Sequence, residues 1–447
     1  MLAQIKNMAS LLDSQKIEYV IWKSLENFKR QLEGKEDIDI LFRDENRHDV
    51  FSFLSKNGFI LDITSADTHG GDLYIFRGYD NETHRFFTFH CHFGLFSGSK
   101  KYKEYRIPLE DLCFSSRIKK DDFWVLDDIM FFVTRFIVNA IREKPNDPIL
   151  DDLCARFSGK INDIEEVDIC KKIFAPLGMK KSVDKFMASS HEGKIGIQNK
   201  IVSNLNNLNP IDLRILNLDK VKKNRRSNVI NRCAVRVGLK RNKLGYGCGI
   251  ILAGHDGAGK SSSMENLSTI LRKLGPIKKI YLGRQGWVFL NEWIDKGRAL
   301  RGVGFLLRSI WPVTSSLEII TRYAIGKTFE KIGYIVIYDR SLYDVLMKWS
   351  GRKIAGARLS CWMTRMVLKR KDERSLFVYL LCSSEAVQKR KGKHTDEEVN
   401  KLQQVYENVL PSSYQKIDTT DLSPKDTHNE IVNLFLEKQK KVCECFL

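Results

Sequence analysis

A mixed α/β architecture is what this sequence predicts, and three observations carry the prediction. First, an apolar run, Cys248-Gly-Ile-Ile-Leu-Ala253, leads into a glycine-rich loop and then into Ser262–Leu274, a stretch with helical apolar spacing. Second, the block 244–447 alternates short apolar runs with long helical patterns, the signature of a parallel sheet covered on both faces. Third, residues 1–120 alternate short helical and strand-like patterns, whereas Asp121 to Leu218 reads as helical. The expected organisation is therefore an α+β block at 1–120, a helical middle region with a basic linker at 121–243, and an α/β block at 244–447.

Within the first block, residues 17–42 read as a strand ending at Lys23-Ser24, a helix, and a second strand bearing Glu36-Asp37-Ile38-Asp39-Ile40. Side chains repeat every second residue along a strand, so Asp37 and Asp39 share one side. The later run Phe86-Phe-Thr-Phe-His90-Cys-His92 is another strand, with both histidines on one face. Two histidines alone make an incomplete metal set, and half-buried structural histidines are the expected role. The middle region follows, with runs such as Ile129-Met-Phe-Phe-Val133. Its basic end holds Lys222, Lys223, Arg225, Arg226, Arg232, Arg236, Lys240 and Arg241. That segment is read as a solvated connection, with peripheral contact to a membrane surface or polyanion as the alternative.

In the last block the expected strands are Gly249–Ala253, Lys279–Leu282, Tyr334–Tyr338, Leu376–Leu381 and Gln415–Ile417. The loop after the first of them, Gly254-His-Asp256-Gly257-Ala258-Gly259-Lys260-Ser261, fits GxxxxGK[ST] in a strand–loop–helix context. Glycines let such a backbone wind around a phosphate chain, so that its N–H groups and the helix N-terminus, from Ser262 onward, face the anion. Lys260 then reaches the β- and γ-phosphates and the Ser261 hydroxyl ligates Mg²⁺. Further along come Tyr334-Ile-Val-Ile-Tyr-Asp339-Arg340, a buried strand ending in an acid and a base, and a basic cluster, Arg390, Lys391 and Lys393, before Tyr406.

These three pieces of 244–447 resemble the thymidylate-kinase-like branch of the P-loop nucleoside-monophosphate kinases. The resemblance implies ATP and Mg²⁺ as cofactors and an ATP-dependent phosphotransferase activity. It implies that Asp339 holds Mg²⁺ or its waters, that Arg340 and Arg284 meet the acceptor phosphate, and that Asp256 faces the acceptor's sugar. Arg390, Lys391 and Lys393 become a lid closing over the triphosphate. The chain departs from that family on the acceptor side: Gly283-Arg284-Gln285 lacks the usual Arg-Glu-Pro, and Asp339-Arg340 continues as Ser341-Leu342-Tyr343-Asp344 without the Ala-Tyr-Gln run. The acceptor is therefore expected not to be thymidylate.

The order of elements in 17–42 resembles the nucleotidyltransferase fold of the polymerase-β type. There, Asp37 and Asp39 would bind Mg²⁺ with a triphosphate. Lys23-Ser24 stands where Gly-Ser or Gly-Gly is usual, and no third carboxylate lies on Phe86–His92; Asp72 is a loose candidate. The combination of the two blocks resembles bacterial fusion proteins associated with surface-polysaccharide biosynthesis, which implies a sugar or glycan acceptor. Two alternatives stay open: nucleotidyl transfer at Asp37 and Asp39 with the P-loop half regulatory, and a non-catalytic NTP-binding switch.

Composition sets the remaining bounds. A net charge of +19 calls for anionic partners such as nucleotides, but no nucleic-acid-reading motif accompanies it. The longest apolar zone, Val303–Ile325, carries Arg308, Pro312, Glu318 and Arg322, which argues against a membrane span. No signal-peptide pattern is visible in Met1–Lys16. Ten cysteines without CxxC spacing suit a reducing cytoplasm, the expected location.

Overall fold

A computed structural model describes residues 1–62, 73–98, 105–157, 160, 162–208, 242–244, 246–283, 304–349, 352–369, 374–391, 396–410 and 413–444. Asp72, Arg284, Lys393 and the basic segment up to residue 241 lie outside the described residues. The chain divides into two units, Met1–Val237 and Gly238–Leu447.

The first unit is built on a mixed seven-stranded sheet. Its strands are β1 (Tyr19–Ile21), β2 (Ile38–Phe42), β3 (Ile60–Leu61), β4 (Leu73–Asp80) and β5 (Arg85–His92), with β8 (Arg117–Lys120) and β9 (Phe123–Leu126) completing it; β6 (Phe96–Ser97) and β7 (Tyr105–Arg106) form a separate ribbon. The sheet order is β3-β4-β5-β2-β1-β9-β8. Helix Ala3–Ser14 buries Ile5, Met8, Ala9 and Leu12, a spacing that lays one apolar stripe on the core. Strand β9 falls inside the stretch read as helical from Asp121. Its four residues, Phe-Trp-Val-Leu, are apolar on both faces and too few to display a period; pairing with β1 at Ile21↔Val125 and with β8 makes them a strand.

Helix Asp128–Ile141 is buried almost all round. It starts at Asp127, whose carboxylate accepts the Met130 N–H at 2.6 Å, satisfying one of the donors a helix start leaves open. Helices Pro148–Phe157, Met179–Ala188 and His191–Leu208 follow it. Phe132, Phe136, Phe174 and Phe186 from this region share one apolar core with Val20, Trp22 and Leu41 of the sheet. The helices and that face of the sheet therefore bury each other.

The second unit is a five-stranded, all-parallel sheet in the order β11-β12-β10-β13-β14. The strands are β10 (Cys248–Gly254), β11 (Ile277–Tyr281), β12 (Ile335–Asp339), β13 (Leu376–Leu381) and β14 (Gln415–Asp418), so each expected strand is present within two residues. Strands β10, β12 and β13 are buried along their whole length, as continuous apolar runs between two helical layers should be. From β10 the chain turns toward β11, and from β13 toward β14. That reversal opens a crevice at the carboxyl ends of the central strands, where open α/β sheets bind ligands. Helix Gly304–Ile332 occupies the apolar zone noted in the sequence. It carries Glu318, Arg322, Lys327 and Glu330, and among the described residues no helix is long and apolar enough to cross a membrane.

Candidate functional site

The glycine-rich loop leaves the end of β10 at this crevice. Gly254 has φ +143°, and a Cβ there would lie 2.4 Å from the Leu380 carbonyl oxygen of β13. Only glycine permits both the backbone angle and the approach. Gly259, in the left-handed region, precedes helix Lys260–Leu271, whose start has no side-chain cap. Its first N–H groups are thereby left to an anion, the arrangement that suits a phosphate.

Lys260 is 6% exposed and donates to the carbonyls of Gly254 at 2.8 Å and His255 at 2.7 Å. Burial, and then the nearby Arg340, lower its pKa against the pull of Asp344, Asp256 and Asp339. The Ser261 hydroxyl donates to Asp339 Oδ2 at 3.1 Å. Asp339 ends β12 and is buried, and its Oδ1 has no hydrogen-bond partner among the described residues. An orphaned carboxylate oxygen costs free energy unless something satisfies it. Beside a serine hydroxyl at a phosphate loop, the fitting group is a hard, oxygen-seeking cation such as Mg²⁺.

Arg340 follows with φ +78°, a conformation that costs a non-glycine residue roughly 1–3 kcal/mol. Its N–H donates to the Leu252 carbonyl at 3.0 Å. The turn aims its guanidinium at Asp256 Oδ1, 2.9 Å away, with the Tyr281 ring 5.8 Å beneath it. Burial alone would lower its pKa; Tyr281, Asp344 and Asp256 outweigh burial and raise it. Arg340, Tyr281, Ser315, Asp344, Lys348 and Trp349 line a cavity of about 300 Å³ beside the loop. Neither Asp344 nor this aromatic lining stands out in the sequence.

Arg390, on helix Ser384–Lys391, is turned elsewhere. It donates to the Thr419 carbonyl at 2.8 Å and approaches Cys382 Sγ at 3.2 Å, on the β14 side of the loop. The same helix supports the loop from that side, with Val387 3.4 Å from where a Gly257 Cβ would stand. Of the expected lid, Lys391 is described only in its backbone and Lys393 lies outside the described residues.

In the first unit, β2 and β5 run parallel with Asp39 opposite His90. Asp39 Oδ1 lies 2.7 Å from His92 Nε2, 3.4 Å from His90 Nδ1 and 3.9 Å from Lys23 Nζ. Burial would raise its pKa, but Lys23, His90 and His92 hold it well below the usual carboxylate range. Asp37 is half-exposed and lies 3.6 Å from His90 Nε2. The histidines face the Asp-x-Asp carboxylates, and among the described residues no group of three or more His, Cys, Asp or Glu is arranged to hold a metal ion.

The parallel sheet, the glycine loop at its central strand and the buried carboxylate at the end of β12 give Gly238–Leu447 a P-loop α/β fold. Among solved structures, the chain is similar to thymidylate kinase from Candida albicans at 17% identity and a TM-score of 0.33, over 44% of this chain and 93% of that one. It is also similar to thymidylate kinase from Ehrlichia chaffeensis at 15% identity and a TM-score of 0.29, over 42% and 98%. No protein-family model matches the chain, and no curated protein matches it by sequence.

Proposed function

We propose that the chain is an ATP-dependent phosphotransferase whose chemistry lies in Gly238–Leu447, with an acceptor other than thymidylate. One observation carries the reading: the Ser261 hydroxyl and the buried, half-satisfied carboxylate of Asp339 meet at the foot of the glycine loop that holds Lys260. Phosphoryl transfer needs little covalent help, and catalysis is mainly positioning and screening of charge. Lys260 supplies a cation that exchanges its two carbonyl partners for phosphate oxygens, and the loop and helix N–H groups hold the chain of phosphates. Mg²⁺, held by Ser261 and Asp339 when bound, screens the phosphate charge. Arg340 and Asp256 border the acceptor side, and Arg390 supports the loop's other wall.

The acceptor reading rests on the cavity lining. Tyr281 and Trp349 offer flat apolar faces, and Asp344 a carboxyl group, in place of the residue run that shapes a thymine pocket. A sugar or glycan hydroxyl suits those groups. Among the described residues nothing favours nucleotidyl transfer at Asp37 and Asp39, because Asp39 is already engaged by His92, His90 and Lys23. The test is to incubate the protein with Mg²⁺, a cell extract and ATP labelled at either the α- or the γ-phosphate. Label from the γ-position should appear on product; label from the α-position would point to the first unit instead.

A further inference from the structure

The cavity beside the loop contains a carboxyl group that transfer to a phosphate would not need. Asp344 Oδ2 accepts the Ser341 N–H at 2.7 Å, and Oδ1 lies 2.5 Å from the Tyr406 hydroxyl. That hydroxyl also lies 3.2 Å from the Gly254 carbonyl oxygen, the same carbonyl that holds Lys260 Nζ. The carboxyl group is thus one hydroxyl removed from the loop carbonyl beneath the phosphate-binding lysine. Among the described residues lining the cavity, the two cations already have partners: Arg340 faces Asp256, and Lys348 Nζ sits 4.2 Å over the Trp311 ring and 4.5 Å over Trp349. A phosphate acceptor brings its own deprotonated nucleophile and wants cations near it. A neutral hydroxyl has the opposite need, a place for its proton.

We propose that Asp344 is the base that takes the proton of a neutral hydroxyl acceptor, of the sugar kind, seated against Tyr281 and Trp349. This rests on the kinase reading and specifies its acceptor class. The acceptor oxygen bonds to the γ-phosphorus of ATP as the bond from that phosphorus to the β,γ-bridging oxygen breaks. The electron pair leaves with ADP, and the hydroxyl proton passes to Asp344 and on to solvent. Burial pushes the Asp344 carboxyl above its ordinary range, against the Ser341 N–H, the Tyr406 hydroxyl and the charges of Arg340 and Lys260; Lys348 lies on its own helix. A raised value moves a carboxylate base toward the pH at which general-base catalysis is efficient.

Water is the smallest hydroxyl the cavity admits, so hydrolysis of γ-labelled ATP by the full chain is the probe, with thymidylate as the phosphate-bearing probe. Asp344→Asn keeps both hydrogen bonds, because its amide donates to Tyr406 and its carbonyl accepts from Ser341. The variant should hydrolyse ATP about a hundredfold more slowly while binding Mg-ATP as before. The wild-type rate should rise with pH as Asp344 loses its proton; Asp344→Glu should keep that rise and Asp344→Asn should lose it. Thymidylate should not be labelled. Hydrolysis by Asp344→Asn within roughly threefold of wild type overturns the proposal, as does a persistent rise with pH, a wild-type chain without hydrolysis, or labelled thymidine diphosphate. A Lys260→Ala control separates the two readings. If hydrolysis survives Lys260→Ala, the kinase reading fails. If Lys260→Ala abolishes it and Asp344→Asn does not, only the assignment of Asp344 fails.

Discussion

Substituting Gly254 by alanine should damage the sheet as well as the loop. The new Cβ would stand 2.4 Å from the Leu380 carbonyl oxygen, where real Cβ contacts essentially never fall below 3.0 Å. The obstructing atom is backbone, and Gly254 and Leu380 are paired partners in the β10–β13 ladder, so relief requires the two central strands to part. The φ of +143° adds roughly 1–3 kcal/mol of backbone strain, and forced overpacking adds typically ~1–3 kcal/mol more. At ~2–4 °C per kcal/mol for a unit of this size, the melting temperature should fall by roughly 4–24 °C. Gly333 supplies the control: its φ is +102°, but nothing lies within 4 Å of its would-be Cβ. Gly333→Ala therefore carries the backbone cost without the clash. Scanning calorimetry of the full chain compares them, with the transition of the P-loop unit identified as the one Gly333→Ala lowers. The steric reasoning is refuted if Gly254→Ala melts no lower than Gly333→Ala.

Other outcomes follow from the same geometry. Lys260→Ala should cut turnover by at least about a hundredfold, as loss of a preorganised cation does, while circular dichroism shows the fold retained. Tyr406→Phe removes the hydroxyl between Asp344 and Gly254 and should cost ~1–3 kcal/mol in denaturant titrations, the penalty for unsatisfied buried acceptors. In the first unit, against the effect of burial, Lys23, His90 and His92 hold the Asp39 carboxyl well below the ordinary value for an aspartate. Its unfolded form therefore takes up protons first on acidification, and its stabilising contribution, full above that value, is lost as pH falls through the folded pKa. Asp39→Asn should remove that part of the acid sensitivity in thermal melts at descending pH, and should leave Mg-ATP binding intact. Thymidylate should not be phosphorylated with a kcat/KM of about 10⁴ M⁻¹s⁻¹ or better, the ordinary range for a true substrate.

The parts of this protein that were legible in the sequence are those whose physics is local. Gly254, Gly259, Lys260 and Ser261 fall within eight consecutive residues, and the strand before them and the helix after them announce themselves by apolar pattern. The three central strands, β10, β12 and β13, are buried on both faces and so read as unbroken apolar runs. Asp344 and Tyr406 stand 62 residues apart in the chain and meet only through the packing of their helices, so neither gives a local signal. The positive φ of Arg340, which aims its side chain at Asp256, is imposed by the strand end and has no signature in an arginine. Arg390 sits in a basic cluster that resembles a lid, yet its guanidinium is captured by the Thr419 carbonyl, an acceptor that only the fold brings near. Strand β9 escaped because four apolar residues show no period.

The most direct measurement is the Mg²⁺-dependent transfer of γ-labelled phosphate from ATP by the full chain, in wild-type and Lys260→Ala forms side by side, with a cell extract as the source of acceptor. Under the phosphotransferase assignment, label appears on a hydroxyl-bearing product in the wild-type reaction and is almost completely lost in the variant. Full transfer by Lys260→Ala, or transfer of α-label in place of γ-label, would contradict it.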